Sequence, residues 1–116
     1  MAESVIFIGW DRVVVGREKQ AMQLWQKATE YYSKLQAGGK IESFDAVILS
    51  PHGGDLNGFV LLKGDAKTLA EIRQEDTFVQ AVIEGEYCLE GYGVVPGVIG
   101  TGAMKVLSQW SKLLGS

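Results

Sequence analysis

The chain is short of the residues on which many catalytic and binding chemistries depend. Among 116 residues there is one cysteine, Cys88, and one histidine, His52. A single cysteine excludes an internal disulfide and any cysteine-based zinc site, and Cys88 is expected to pack as a small apolar residue. Proline occurs twice, at Pro51 and Pro96, and there is no low-complexity segment or internal repeat to divide the chain. Neither sign of charge dominates: 11 basic residues stand against 14 acidic ones, mixed along the chain without a lysine or arginine run. A nucleic-acid partner is therefore not expected. Charge or glycine interrupts every apolar stretch within about ten residues, too short to span a bilayer. The start, Met1-Ala2-Glu3-Ser4, has no positive segment or cleavage signature. The expectation is a cytoplasmic protein with no membrane partner.

Glycine is plentiful instead, with 15 residues including the pairs Gly38-Gly39 and Gly53-Gly54. They fall mostly between apolar segments, as in a chain that turns tightly between elements. The length fits a single domain, 1–116, that buries roughly two thirds of its unfolded surface.

Val5-Ile6-Phe7-Ile8-Gly9-Trp10 reads as a first strand. Over 17–37 the residues Ala21, Leu24, Trp25, Ala28, Tyr32 and Leu35 recur at helical spacing, and Gly38-Gly39 supplies a left-handed stop. Residues 41–49 and 58–63 read as the second and third strands. Asp65 caps a second helix, which breaks near Arg73-Gln74 and resumes at Asp76-Thr77-Phe78 as far as about Glu84. A fourth strand is expected over 86–95, closed by Pro96-Gly97, and a last helix over 102–114. The order is β-α-β-β-α-β plus a C-terminal helix: an α+β, ferredoxin-like arrangement with a core over 5–96. Its sheet is antiparallel, with the first and third strands central.

An antiparallel sheet covered by helices on one face should alternate apolar and polar residues. Val5-Ile6-Phe7-Ile8, Ala46-Val47-Ile48-Leu49 and Phe59-Val60-Leu61-Leu62 are apolar on both parities. A bare second face would invite aggregation. A homodimer is expected, two sheets packing face to face into a barrel.

The candidate chemistry gathers on one loop, Pro51-His52-Gly53-Gly54-Asp55-Leu56-Asn57-Gly58. The topology places it at the same sheet edge as Asp11, Arg12 and Arg17. His52 could serve as a general base, with Asp55 orienting its ring. Arg12 or Arg17 could hold an anionic substrate, and Asn57 could add a contact. The bland alternative makes His52 a solvated turn residue and Asp55 and Asn57 turn formers. Trp25 and Tyr32 either line a pocket between helix and sheet or belong to the plain core. One histidine and scattered carboxylates make a poor transition-metal site, and no metal or cofactor is expected.

With the element order, the Gly38-Gly39-Lys40-Ile41 strand start, the Asn57-Gly58-Phe59 restart and the Asp76-Thr77-Phe78 segment in view, the chain resembles the dimeric α/β-barrel superfamily, and within it the YCII-related proteins. The likeness covers about residues 5–96. It implies a ferredoxin-like fold, a homodimer, and a His/Asp site whose histidine is expected on the first helix; Asp76 falls in the matching segment, but helix 17–37 has no histidine and the only one is His52 in the hairpin. The superfamily includes cofactor-free quinol monooxygenases and muconolactone isomerases. The implied function is a small-molecule pocket for an aromatic or carboxylate-bearing molecule, in a cofactor-independent enzyme of monooxygenase or isomerase type. The alternative is a non-catalytic dimeric structural or ligand-sensing module.

Overall fold

A computed structural model of the protein describes residues 2–115. Eight elements follow in order: β1 (Ser4–Trp10), α1 (Glu18–Ala37), β2 (Ser43–Ile48), β3 (Gly58–Gly64), α2 (Ala66–Ile72), α3 (Asp76–Cys88), β4 (Gly93–Val98) and α4 (Gly100–Leu113). The strands form one antiparallel sheet in the order β2-β3-β1-β4, so β1 and β3 are central as the topology required. The fold is α+β and ferredoxin-like.

Register builds two apolar rows across the sheet. Phe44, Leu62, Ile6 and Pro96 stand abreast in one, and Ala46, Val60, Ile8 and Val94 in the next. Ile6, Ile8, Val60 and Leu62 are buried in a single core with Tyr32 and Leu35 of α1, Leu69 and Ile72 of α2, and Phe78 of α3. The opposite parity carries Phe7, Phe59, Leu61 and Val47 onto the other face. There the Phe7 and Phe59 rings stack with centroids 5.3 Å apart.

Local signals account for the element ends. Gly39, at φ 75°, turns the chain out of α1, and the Gly38 N–H donates to the Lys34 carbonyl. The Asp65 carboxylate accepts from the Thr68 N–H and caps α2. A break separates α2 from α3 at residues 73–75, as expected.

The second strand and α4 differ from the sequence expectation by one or two residues at their ends, and the larger differences lie between α3 and β4. Helix α3 runs to Cys88, through residues 86–88 where the sequence predicts the start of the fourth strand. Phe78, Gly85 and Cys88 are its buried positions, so the helical stripe overrides the β-favouring Tyr87 and Cys88. The strand β4 begins only at Gly93 and continues through Pro96-Gly97 to Val98. A proline ends a central strand but is tolerated on an edge strand such as β4.

Helix α4 is fixed to the body at its first turn. The Ile99 N–H donates to the Glu3 carbonyl, Thr101 and Lys105 reach the Glu3 carboxylate, and Gly102 leaves no room for a side chain against the Glu3 backbone. Those two partners hold the Glu3 carboxyl below the usual carboxylate range. Beyond that turn α4 exposes Met104, Leu107, Trp110 and Leu113, the last by 83%. No helix among the described residues is long and apolar enough to cross a membrane.

Gly85 lies in the middle of α3, where alanine would ordinarily be favoured by about 1 kcal/mol. A Cβ there would stand 2.5 Å from the Tyr92 ring. Gly85→Ala is therefore expected to destabilise the fold by about 1–3 kcal/mol in urea denaturation, against the helix propensity.

Candidate functional site

Small residues open a space beneath the helices. Ala21 and Ala28 on α1 and Ala81 on α3 line it, where larger side chains would fill the gap. The result is an open cavity of about 380 Å³. Its floor is Ile8 and Val60, and its walls include Trp10, Trp25, Tyr32 and Tyr92. Trp10 and Trp25 meet edge to face, with centroids 6.0 Å apart and planes at 76°. The Trp10 indole lies over Gly58, where a Cβ would come within 2.5 Å of its ring, so the glycine seats it. Tyr32 packs edge-on against Phe44.

No charged side chain lines this cavity. The Thr29 hydroxyl donates to backbone carbonyls of its own helix. The polar atoms left are those of the aromatic residues. Burial raises the Tyr32 hydroxyl far above its ordinary pKa, and Tyr92 adds to the shift. Burial pushes Tyr92 up to about 12, with Glu86 and Cys88 contributing. Both phenols are neutral at physiological pH.

The predicted rim assembles, but its residues engage one another. Asn57 donates from Nδ2 to Asp11 Oδ1 at 2.6 Å, while the backbone N–H of Asn57 donates to Trp10 and that of Asp11 to Glu90. Arg12 lies 3.7 Å from both Asp11 and Glu90. Arg17 donates to the Tyr87 carbonyl near the C-terminal end of α3, with its guanidinium 4.0 Å above the Tyr87 ring. These contacts tie the end of β1 to the β2–β3 loop and to the α3–β4 loop. None of Arg12, Arg17 and Asn57 lines the cavity.

His52 is exposed and clamps its own loop. The Gly54 N–H donates to Nδ1 at 3.2 Å, which leaves the proton on Nε2 to donate to the Leu56 carbonyl at 2.7 Å. Its one acceptor nitrogen is therefore occupied. Asp55 is exposed and forms no bond to the ring, so the structure does not bring these two residues together as an oriented base. Among the described residues no group of three or more His, Cys, Asp and Glu could hold a metal ion.

Of the predicted site residues, Trp25 and Tyr32 are the two that line the cavity. Trp10 and Tyr92 were missed as site residues. Tyr92 shares strand parity with Val94, which faces the helices, and that alternation was the available signal.

No protein-family model matches the chain, and no curated protein matches it. Solved structures of ferredoxin-like proteins do. A hydroxynitrile lyase from Passiflora edulis is 15% identical with a TM-score of 0.64, covering 86% of this chain and 96% of that one. A dabb family protein with a ferredoxin-like fold from Mesorhizobium loti is 11% identical with a TM-score of 0.62, covering 84% and 98%. A dimeric ferredoxin-like protein of unknown function from Thermobifida fusca is 14% identical with a TM-score of 0.61, covering 85% and 93%. At these identities the likeness is one of fold.

The tyrosines yield a prediction at high pH. A phenol whose folded pKa is raised stabilises the fold fully below its unfolded pKa, and that contribution is lost as pH rises through the folded value. Stability is expected to fall between pH about 10, the unfolded value, and about 12, the folded value of Tyr92. Tyr92→Phe should lessen the fall, as measured by urea midpoints across that range.

Proposed function

We propose that this protein binds a small, largely apolar molecule in the cavity between α1, α3 and the sheet. The supporting observation is the cavity itself: open, lined by rigid aromatic and aliphatic groups, and free of charge. Trp25 and Tyr32 are its contacts from the sequence reading, joined by Trp10 and Tyr92. Arg12, Arg17 and Asn57 serve the frame around it. Binding is favoured over acid–base chemistry because no carboxylate, histidine or lysine reaches the wall. His52 and Asp55 belong to the exposed loop in this reading.

The working form is a homodimer, assembled through the sheet face that carries Phe7, Phe59, Leu61 and Val47. Packing two such faces would bury apolar area that one copy leaves partly open. The dimeric Thermobifida fusca protein, which shares the fold, is consistent with this assembly. A YCII-related ancestry is supported by the element order and the short Gly38-Gly39-Lys40-Ile41, Asn57-Gly58-Phe59 and Asp76-Thr77-Phe78 segments.

Two experiments test these statements. Titration with naphthalene, followed by tryptophan fluorescence, is expected to show saturable binding. Ala81→Trp, which fills the cavity from α3, is expected to weaken it by about tenfold or more. Equal binding by the two, with the circular dichroism spectrum retained, would place the ligand elsewhere. Sedimentation at micromolar concentration is expected to give a dimer, and Phe59→Glu a folded monomer; a monomeric wild type would refute the assembly.

A further inference from the structure

The cavity is apolar in area, yet four residues of its lining carry hydrogen-bond donors without partners. Tyr32 is only 4% exposed, and its hydroxyl makes no hydrogen bond among the described residues. The same holds for the Tyr92 hydroxyl and for the indole N–H groups of Trp10 and Trp25. Among the described residues no side-chain nitrogen or oxygen is sealed from solvent without a partner. Each of these atoms therefore touches solvent, and all four residues that carry them line the cavity. A donor in so apolar a recess is poorly served unless something supplies an acceptor.

We infer that Tyr32 and Tyr92 are specificity-determining residues of this cavity, and that they select an uncharged ligand presenting a hydrogen-bond acceptor such as a carbonyl oxygen. The inference rests on the binding reading above and adds the ligand's chemistry. The two phenols come from different parts of the chain, Tyr32 from α1 and Tyr92 from the turn into β4, and both residues line the cavity. Indoles donate only, and a neutral phenol both donates and accepts, so the unmet requirement is for acceptors. A ligand of donors alone would leave the indoles unsatisfied.

Charge decides against an anion. No lysine or arginine lines the wall to offset a carboxylate, since Arg17 is held on Tyr87 and Arg12 lies beside Asp11 and Glu90. Glu86 already acts on Tyr92 from outside the wall, and its sign opposes a second negative charge. Bringing an unpaired carboxylate into such a site is strongly disfavoured. The carboxylate-bearing ligand considered from the sequence is thus the less suitable of the two classes, and an acceptor-bearing aromatic the better one.

Three probes of one skeleton separate these effects: naphthalene, 1-acetylnaphthalene and 1-naphthoate, each titrated against the full chain by fluorescence or calorimetry. The wild type is expected to bind 1-acetylnaphthalene about fivefold or more tighter than naphthalene, and naphthoate most weakly. In the double variant Tyr32→Phe, Tyr92→Phe, the ratio of ketone to naphthalene affinity should fall to about one, whatever the change in naphthalene binding itself. Equal binding of ketone and hydrocarbon by the wild type, or tightest binding of naphthoate, would overturn the inference and leave the apolar-cavity reading standing. A preference for the ketone that survives in the double variant would also overturn it. Failure of both naphthalene and the ketone to bind would remove the cavity reading and the inference with it. Single Tyr→Phe variants serve where the double variant does not fold, each expected to lose part of the preference.

Discussion

The register of β1 between β3 and β4 is the constraint on which the rest of the molecule depends. It places Ile6 and Ile8 in the two rows that meet the helices. Slipping β1 by one residue would turn Phe7 toward the helices and Ile6 and Ile8 away, because side chains alternate along a strand. The same register puts Trp10 opposite Gly58, the one arrangement that gives the indole a flat seat. It also brings Gly9 opposite Gly93, so that Tyr92 enters β4 beside the end of β1. The aromatic wall of the cavity is therefore a consequence of strand pairing.

The cavity exists because the helices are underfilled at particular positions. Alanine at 21, 28 and 81 meets the helical spacing that a core requires but supplies little volume. Leu24 and Tyr32, both buried, complete the packing around the opening. Gly85 has a related role on α3: its missing side chain admits the Tyr92 ring. The recess is thus made by residues that are small, while its chemistry comes from those that are large.

Charged groups are arranged around the cavity, not in it. Asp11, Asn57, Arg12 and Glu90 join three loops at one edge of the sheet, and Arg17 closes on the end of α3. At the other end of α1, Tyr31 and Lys40 converge on Glu75 and hold its carboxyl below the usual range, tying that helix to the start of α3. Burial and the Glu75 hydrogen bond raise the Tyr31 hydroxyl well above its ordinary value. These pairs are partly exposed and individually modest, so their value lies in fixing loop positions. With the edges held, the apolar interior keeps an open recess without charge in its wall.

Much of the fold was legible in the residues alone, because periodicity is local information. The 3.6-residue stripe of α1, the Gly38-Gly39 stop, the Asp65 cap and the break before Asp76 all act within a few positions of themselves. Apolar residues on both parities of the strands likewise declared that neither sheet face is built for water. The boundary between α3 and β4 was not legible, since Tyr87 and Cys88 favour strands and only packing against the sheet keeps them helical. Nor was the site. The His52 loop gathers suggestive residue types in one stretch of sequence, but hydrogen bonds to its own backbone occupy the ring. Tyr32 and Tyr92 stand sixty positions apart and share no motif. Local chemistry thus determined the elements and their order. Which hydroxyls and indoles remain unpaired depends on what lies across a cavity, and only the tertiary structure decided that.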